Sequence, residues 1–169
     1  MTRTRPILTA AALLPLLAGL GGCGFTPLYA ESGGVAPQLR SVEVVAPEGR
    51  AGFLVREQME DELARNRAGP ARYRLTYTTN ELRFPRGLRV NQIATEYELD
   101  LTVNYQLIEI ASGKTVFTGS APVHITYASA DAPYAGISAQ QEGQERAANQ
   151  AAILIRLDLS RYYARVPTP

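Results

Sequence analysis

The chain has 169 residues, with 17 basic and 16 acidic side chains, one cysteine and one histidine. A single domain of this size buries roughly 70% of its unfolded surface and can fold without disulfides. The near-neutral charge leaves no global basic footprint, so nucleic acid is not an expected partner. With no second His or Cys, a nitrogen- or sulfur-rich metal site is excluded.

Arg3 and Arg5 open the chain, and an apolar segment follows from Ile7 to Leu20, flanked by Pro6 and broken by Pro15. A basic start, a short apolar core and small residues before a cut site describe a secretory signal. The segment is too short for a spanning helix, which needs ~20 apolar residues. Leu20-Gly21-Gly22-Cys23 resembles the bacterial lipobox. That resemblance implies acylation of the Cys23 thiol and cleavage just before it, so residues 1–22 are expected to be a lipoprotein signal peptide. Gly24 stands where an aspartate often marks inner-membrane retention, which favours the outer membrane. Two or more acyl chains hold a protein stably at a bilayer, where one chain holds it only marginally. Without Arg3 and Arg5 there are 15 basic residues against 16 acidic ones, and Lys114 is the only lysine.

Residues 23–37 are expected to form the lipidated N-terminus and a flexible tether, because Glu31 to Pro37 is rich in small and turn-forming residues. A single domain over 38–166 follows, with 167–169 as a tail. Leu39, Val42, Val44 and Val45 suggest a first strand ended by Pro47. From about Gly52 to Asn66 the period becomes helical. Val55, Met59 and Leu63 form one face with Phe53 nearby, and Asn66 and Gly69-Pro70 supply the stop.

Tyr73, Leu75 and Tyr77 then alternate with Arg72, Arg74, Thr76 and Thr78 in a strand running to Arg83. Pro85 and Gly87 break the pattern between Phe84 and Asn91. Tyr97, Leu99, Leu101, Val103, Tyr105 and Leu107 alternate with polar residues from Glu96 onwards, giving a strand with one buried and one wet face. Ile110 to Lys114 is a hairpin turn. The return strand places Phe117, Ala121, Val123, Ile125 and Tyr127 on one face, and Pro122 within it argues for an edge or a bulge. Ala128 to Gly136 is expected to be a loop. A final helix from about Ser138 to Tyr163 carries Ala148, Ala152, Ile155 and Leu159 on its apolar face. The order β-α-β-β-β-α predicts an α+β two-layer sandwich: a four-stranded mixed sheet with two helices on one face. The first strand pairs in parallel, and the rest form a meander.

No catalytic constellation is present, and no cofactor or metal is expected. His124 lies on the polar side of a strand. Glu96, Glu98 and Asp100 share one strand face, where Arg72 and Arg74 are the expected cross-strand partners. Arg83, Arg86 and Arg89 recur every three residues around the expected turn between the second and third strands, with Phe84, Leu88 and Val90 between them. Guanidinium forks beside apolar side chains suit an amphiphile with an anionic head and acyl tails, or they can pair with neighbouring acids.

Cys23-Gly24-Phe25-Thr26-Pro27-Leu28-Tyr29 resembles the mature start of the lipopolysaccharide-assembly lipoprotein LptE family of alphaproteobacterial type. Thr95 to Leu99 with Leu101 to Val103, the Ser112-Gly113-Lys114 turn and the element order extend the likeness over nearly the whole mature chain. The resemblance implies a non-enzymatic outer-membrane lipoprotein on the periplasmic side of a Gram-negative envelope. It would plug the LptD β-barrel at one copy per barrel, help it assemble and assist lipopolysaccharide insertion into the outer leaflet. It also implies that Arg89, with Arg83 and Arg86 near it, contacts lipopolysaccharide. The basic position that some relatives carry at the start of the last helix is absent from Ser138 to Gln141. The alternative is a lipid-anchored periplasmic binding subunit of another envelope transport system.

Overall fold

The computed structural model describes residues 35–88, 94–129 and 133–166. Cys23, Arg89 and the tail therefore lie outside the described residues. The elements are α1 (Val35–Leu39), β1 (Val42–Val45), α2 (Arg50–Leu63), β2 (Tyr73–Leu88), β3 (Ala94–Glu109), β4 (Thr115–Ala128) and α3 (Pro133–Arg165). The strands are arranged β1-β2-β3-β4, with β1 parallel to β2 and the later pairs antiparallel. The expected α+β sandwich and its meander are what the structure shows.

Alternation decides which way the sheet faces. Leu99, Leu101, Val103, Tyr105 and Leu107 are buried, as are Leu75 and Tyr77 on β2 and Ala121, Val123 and Tyr127 on β4. These positions share the face covered by the helices. α3 lies on β4 and β3, while α2 packs beside α3 and over β1 and β2. On α2, Val55, Met59 and Leu63 turn inward at helical spacing together with Leu54. Phe53, expected near that face, is half exposed instead. α2 stops where Ala64 adopts a left-handed conformation (φ 47°), and the Ala64 N–H bonds to the Asp61 carbonyl. That stop comes two residues before the expected one at Asn66. Between the two helices, Arg156 pairs with Glu62 at 2.7 Å. Asn149 donates to Gln58 at 2.9 Å.

Three elements depart from expectation. Leu39 is not in the first strand but in α1, where it and Val35, one helical turn apart, bury their side chains in the core. The first residues of α1, Val35 to Pro37, are those assigned by sequence to the tether. Secondly, β2 does not end at Arg83 but continues to Leu88, paired with β3 as far as Leu88 opposite Ala94. Pro85 is tolerated because β1 reaches only Thr76, which leaves the far half of β2 as a sheet edge where a missing N–H costs no ladder bond. Gly87 takes a left-handed φ of 57°, and a Cβ there would lie 2.3 Å from the Thr95 hydroxyl. Thirdly, α3 begins at Pro133 rather than Ser138, so Tyr134 to Ile137 are helical rather than a loop. Proline is well suited to a first helical position, where its missing donor has no intrahelical partner to lose. Pro122 does sit in an edge strand, and the register irregularity of that hairpin falls elsewhere, between Leu107 and Ile108.

Candidate functional site

The extension of β2 changes the setting of its arginines. Successive strand residues face opposite ways, so Arg83 and Arg86, three apart, project from opposite faces of the sheet. Arg83 stands opposite Leu99 and turns to the helix side. Its guanidinium donates to Gln140 Oε1 on α3 at 2.5 Å and approaches the Tyr127 hydroxyl at 3.5 Å. It also lies 5.0 Å above the centre of the Tyr97 ring. Tyr97 and Tyr127 are cross-strand neighbours whose rings stack at 5.7 Å and 23°.

These residues, with Ala128, Ser129, Gly136 and Ile137, line a cleft of about 220 Å³ between the far end of the sheet and the first turns of α3. Tyr134 and Ile137 are strongly exposed beside it. The cleft therefore joins a guanidinium, two phenol rings and apolar side chains open to solvent. The fork suits an anionic head, and the rings and Ile137 suit an apolar tail.

Arg86 serves a different neighbourhood. Its guanidinium meets Glu98 on the outer face, 2.5 Å from Oε2. Leu82 and Phe84, also on that face, remain exposed. Arg83 and Arg86 are thus not one cluster, being separated by the sheet, and Arg89 is outside the described residues. The expected partners of the acidic row also change. Arg74 lies opposite Ile108 and pairs with Glu43 at 3.1 Å. Arg72 rests 6.0 Å from the Tyr73 ring centre. Among the described residues, the groups that meet the row are Arg86 at Glu98 and His124, whose Nδ1 is 2.7 Å from Asp100 Oδ1. Arg72 and Arg74 sit at the other end of the ribbon, so register rather than face excludes them. His124 is exposed, and its hydrogen bond to the Asp100 carboxylate, reinforced by that charge, raises its pKa above 6.5.

The sequence reading missed Tyr97, Tyr127 and Gln140 as companions of Arg83. Parity was the available signal: Arg83 shares the odd-numbered phase of Leu75 and Tyr77, and Tyr97 and Tyr127 were already on the buried faces of their strands.

Comparisons with known proteins agree with this architecture. A family model described as LptE, lipopolysaccharide-assembly, matches residues 39–159. A candidate lipoprotein of Caulobacter crescentus CB15, solved by crystallography, is 47% identical with a TM-score of 0.69, covering 79% of this chain and 98% of that one. The rare lipoprotein B of Shewanella oneidensis shares the fold at 17% identity and a TM-score of 0.55, over 73% of this chain and 94% of its own. A lipoprotein B of Nitrosomonas europaea does so at 16% identity and a TM-score of 0.55, over 73% and 84%. A comparison with curated proteins gave no match. The family match spans most of the chain and every strand of the sheet, and the chain belongs to the LptE lipopolysaccharide-assembly family.

Proposed function

We propose that this protein is an outer-membrane lipoprotein, anchored through acylated Cys23, that occupies the LptD β-barrel as a plug. It helps that barrel assemble and assists lipopolysaccharide insertion into the outer leaflet, and it catalyses no reaction. The observation that carries this reading is the family match over residues 39–159. The lipobox-like Leu20 to Cys23 supports the anchor, and the Arg83 cleft supports contact with an anionic amphiphile.

Of Arg83 and Arg86, the two arginines among the described residues that are expected at lipopolysaccharide, Arg83 has the setting that fits better. It is flanked by rings and by exposed Ile137 and Tyr134, whereas Arg86 is engaged by Glu98. Arg83→Ala is expected to weaken lipopolysaccharide binding by about tenfold, the loss of one charged hydrogen-bonding group. Arg86→Ala is expected to change it by less than threefold. Equal losses in the two variants, or none in either, would remove the cleft from the account. Recovery of an inner-membrane transporter rather than a β-barrel with the acylated protein would favour the alternative of a binding subunit for another envelope system.

A further inference from the structure

The outer face of the sheet carries a group of side chains that the proposed function does not use. Asp100 and His124 stand directly opposite each other on β3 and β4, and Glu98 lies two residues before Asp100 on the same face. One ligand atom from each of the three can be chosen so that all lie within 4.8 Å of one another. The geometry is set by backbone pairing rather than by a loop, and among the described residues no helix covers this face. The His124 side chain is 66% exposed, and the Glu98 and Asp100 side chains are each 27% exposed, so a small ion has direct access.

We propose that Glu98, Asp100 and His124 form a binding site for a divalent transition-metal ion of the zinc type. The donor set is one imidazole nitrogen and two carboxylates, so it falls outside the nitrogen- or sulfur-rich sites that the single histidine excludes. Zinc binds such donors at ~2.0–2.2 Å. Two donors on one tetrahedral ion therefore stand about 3.3–3.6 Å apart, so side-chain rotation has to draw Glu98 in and open the 2.7 Å His124–Asp100 contact slightly. The imidazole selects zinc over magnesium or calcium, which prefer oxygen ligands alone. A metal on His124 Nδ1 takes the place of the hydrogen between that nitrogen and Asp100 Oδ1: the proton passes to Nε2 where the imidazole is neutral, and one proton leaves where it is an imidazolium.

Arg86 supplies an internal control. Its guanidinium occupies Glu98 Oε2 at 2.5 Å, so an ion must compete with it for that carboxylate. Removing the guanidinium frees the ligand and removes a nearby positive charge. Arg86→Ala and His124→Ala should therefore act in opposite directions.

The test is a zinc titration of the full chain in detergent, followed by calorimetry and by the His124 imidazole resonances. The expected result is one saturable site that shifts those resonances. His124→Ala weakens it at least tenfold, Arg86→Ala tightens it at least twofold, and a hundredfold excess of magnesium does not displace it. Absence of saturable binding, unchanged affinity in His124→Ala or displacement by magnesium would each overturn the site. Circular dichroism of each variant separates loss of the site from loss of the fold, and His124→Ala, at an exposed position, is expected to keep the parent's spectrum and a cooperative melt.

Discussion

Tyr105 shows how one missing Cβ organises this core. Its ring crosses over Gly119, its direct partner on β4, and the phenol donates to Asp158 Oδ2 on α3 at 2.9 Å. Burial first, and then the bond to the Asp158 carboxylate, raises the phenol's pKa well above 10, so it stays a neutral donor. A Cβ at Gly119 would stand 2.3 Å from Tyr105 Oη and 2.4 Å from Cζ. Gly119→Ala therefore has to displace the ring and break a bond between sheet and helix. It should destabilise the fold by about 1–3 kcal/mol, the usual cost of overpacking, seen as a lower urea midpoint with an unchanged slope. At the surface, His124 gives a pH signature. In metal-free buffer its NMR titration should be displaced above 6.5, and Asp100→Asn should return it towards that value. Because the folded value is raised, the stabilisation from this pair is fully present below the unfolded pKa. It is lost as pH rises through the folded one.

Among the elements, α3 depends most on small residues. It runs for 33 residues, about 50 Å at 1.5 Å per residue, and buries Ala147, Ala148, Ala151 and Ala152 completely or nearly so. Alanines there let the helix axis approach both β4 and α2. Ala151→Leu should overpack that seam and cost about 1–3 kcal/mol, while Phe53→Ser on the exposed side of α2 should stay within about 0.5 kcal/mol. Chemical denaturation of the two variants checks both. Elements with strong periodicity were the legible ones. The alternation of β3 from Tyr97 to Leu107 and the Val55-Met59-Leu63 face of α2 are read directly from spacing, and the edge position of β4 follows from Pro122. The far half of β2 was not legible, because Pro85 and Gly87 are local breakers and the pairing with β3 that overrides them is long-range. α1 was hidden for a related reason: five residues carry too little periodicity, and only packing against α3 reveals that Val35 and Leu39 belong to the core. The candidate site suffered most from this. Once β2 is a strand through Leu88, a spacing of three separates Arg83 from Arg86 instead of uniting them.

At the scale of the whole molecule, the sheet has two unlike surfaces. One is sealed by α2 and α3. The other is left uncovered by the described residues, lined mainly with threonine, asparagine and charged residues, and bordered by the edge of β4 and the far half of β2. A sheet that exposes a largely polar face, with Leu82 and Phe84 at its far end, and two edges has surface to offer a larger partner. That geometry is compatible with a plug inside a barrel, and the Arg83 cleft at the far end then stands where an amphiphile could meet it. The most direct test is affinity isolation of the full-length acylated protein from detergent-solubilised envelopes, with Cys23→Ala in parallel. The account predicts stoichiometric recovery of a large outer-membrane β-barrel with the parent chain, and loss of outer-membrane fractionation in Cys23→Ala. Isolation of the parent chain without any β-barrel would contradict it.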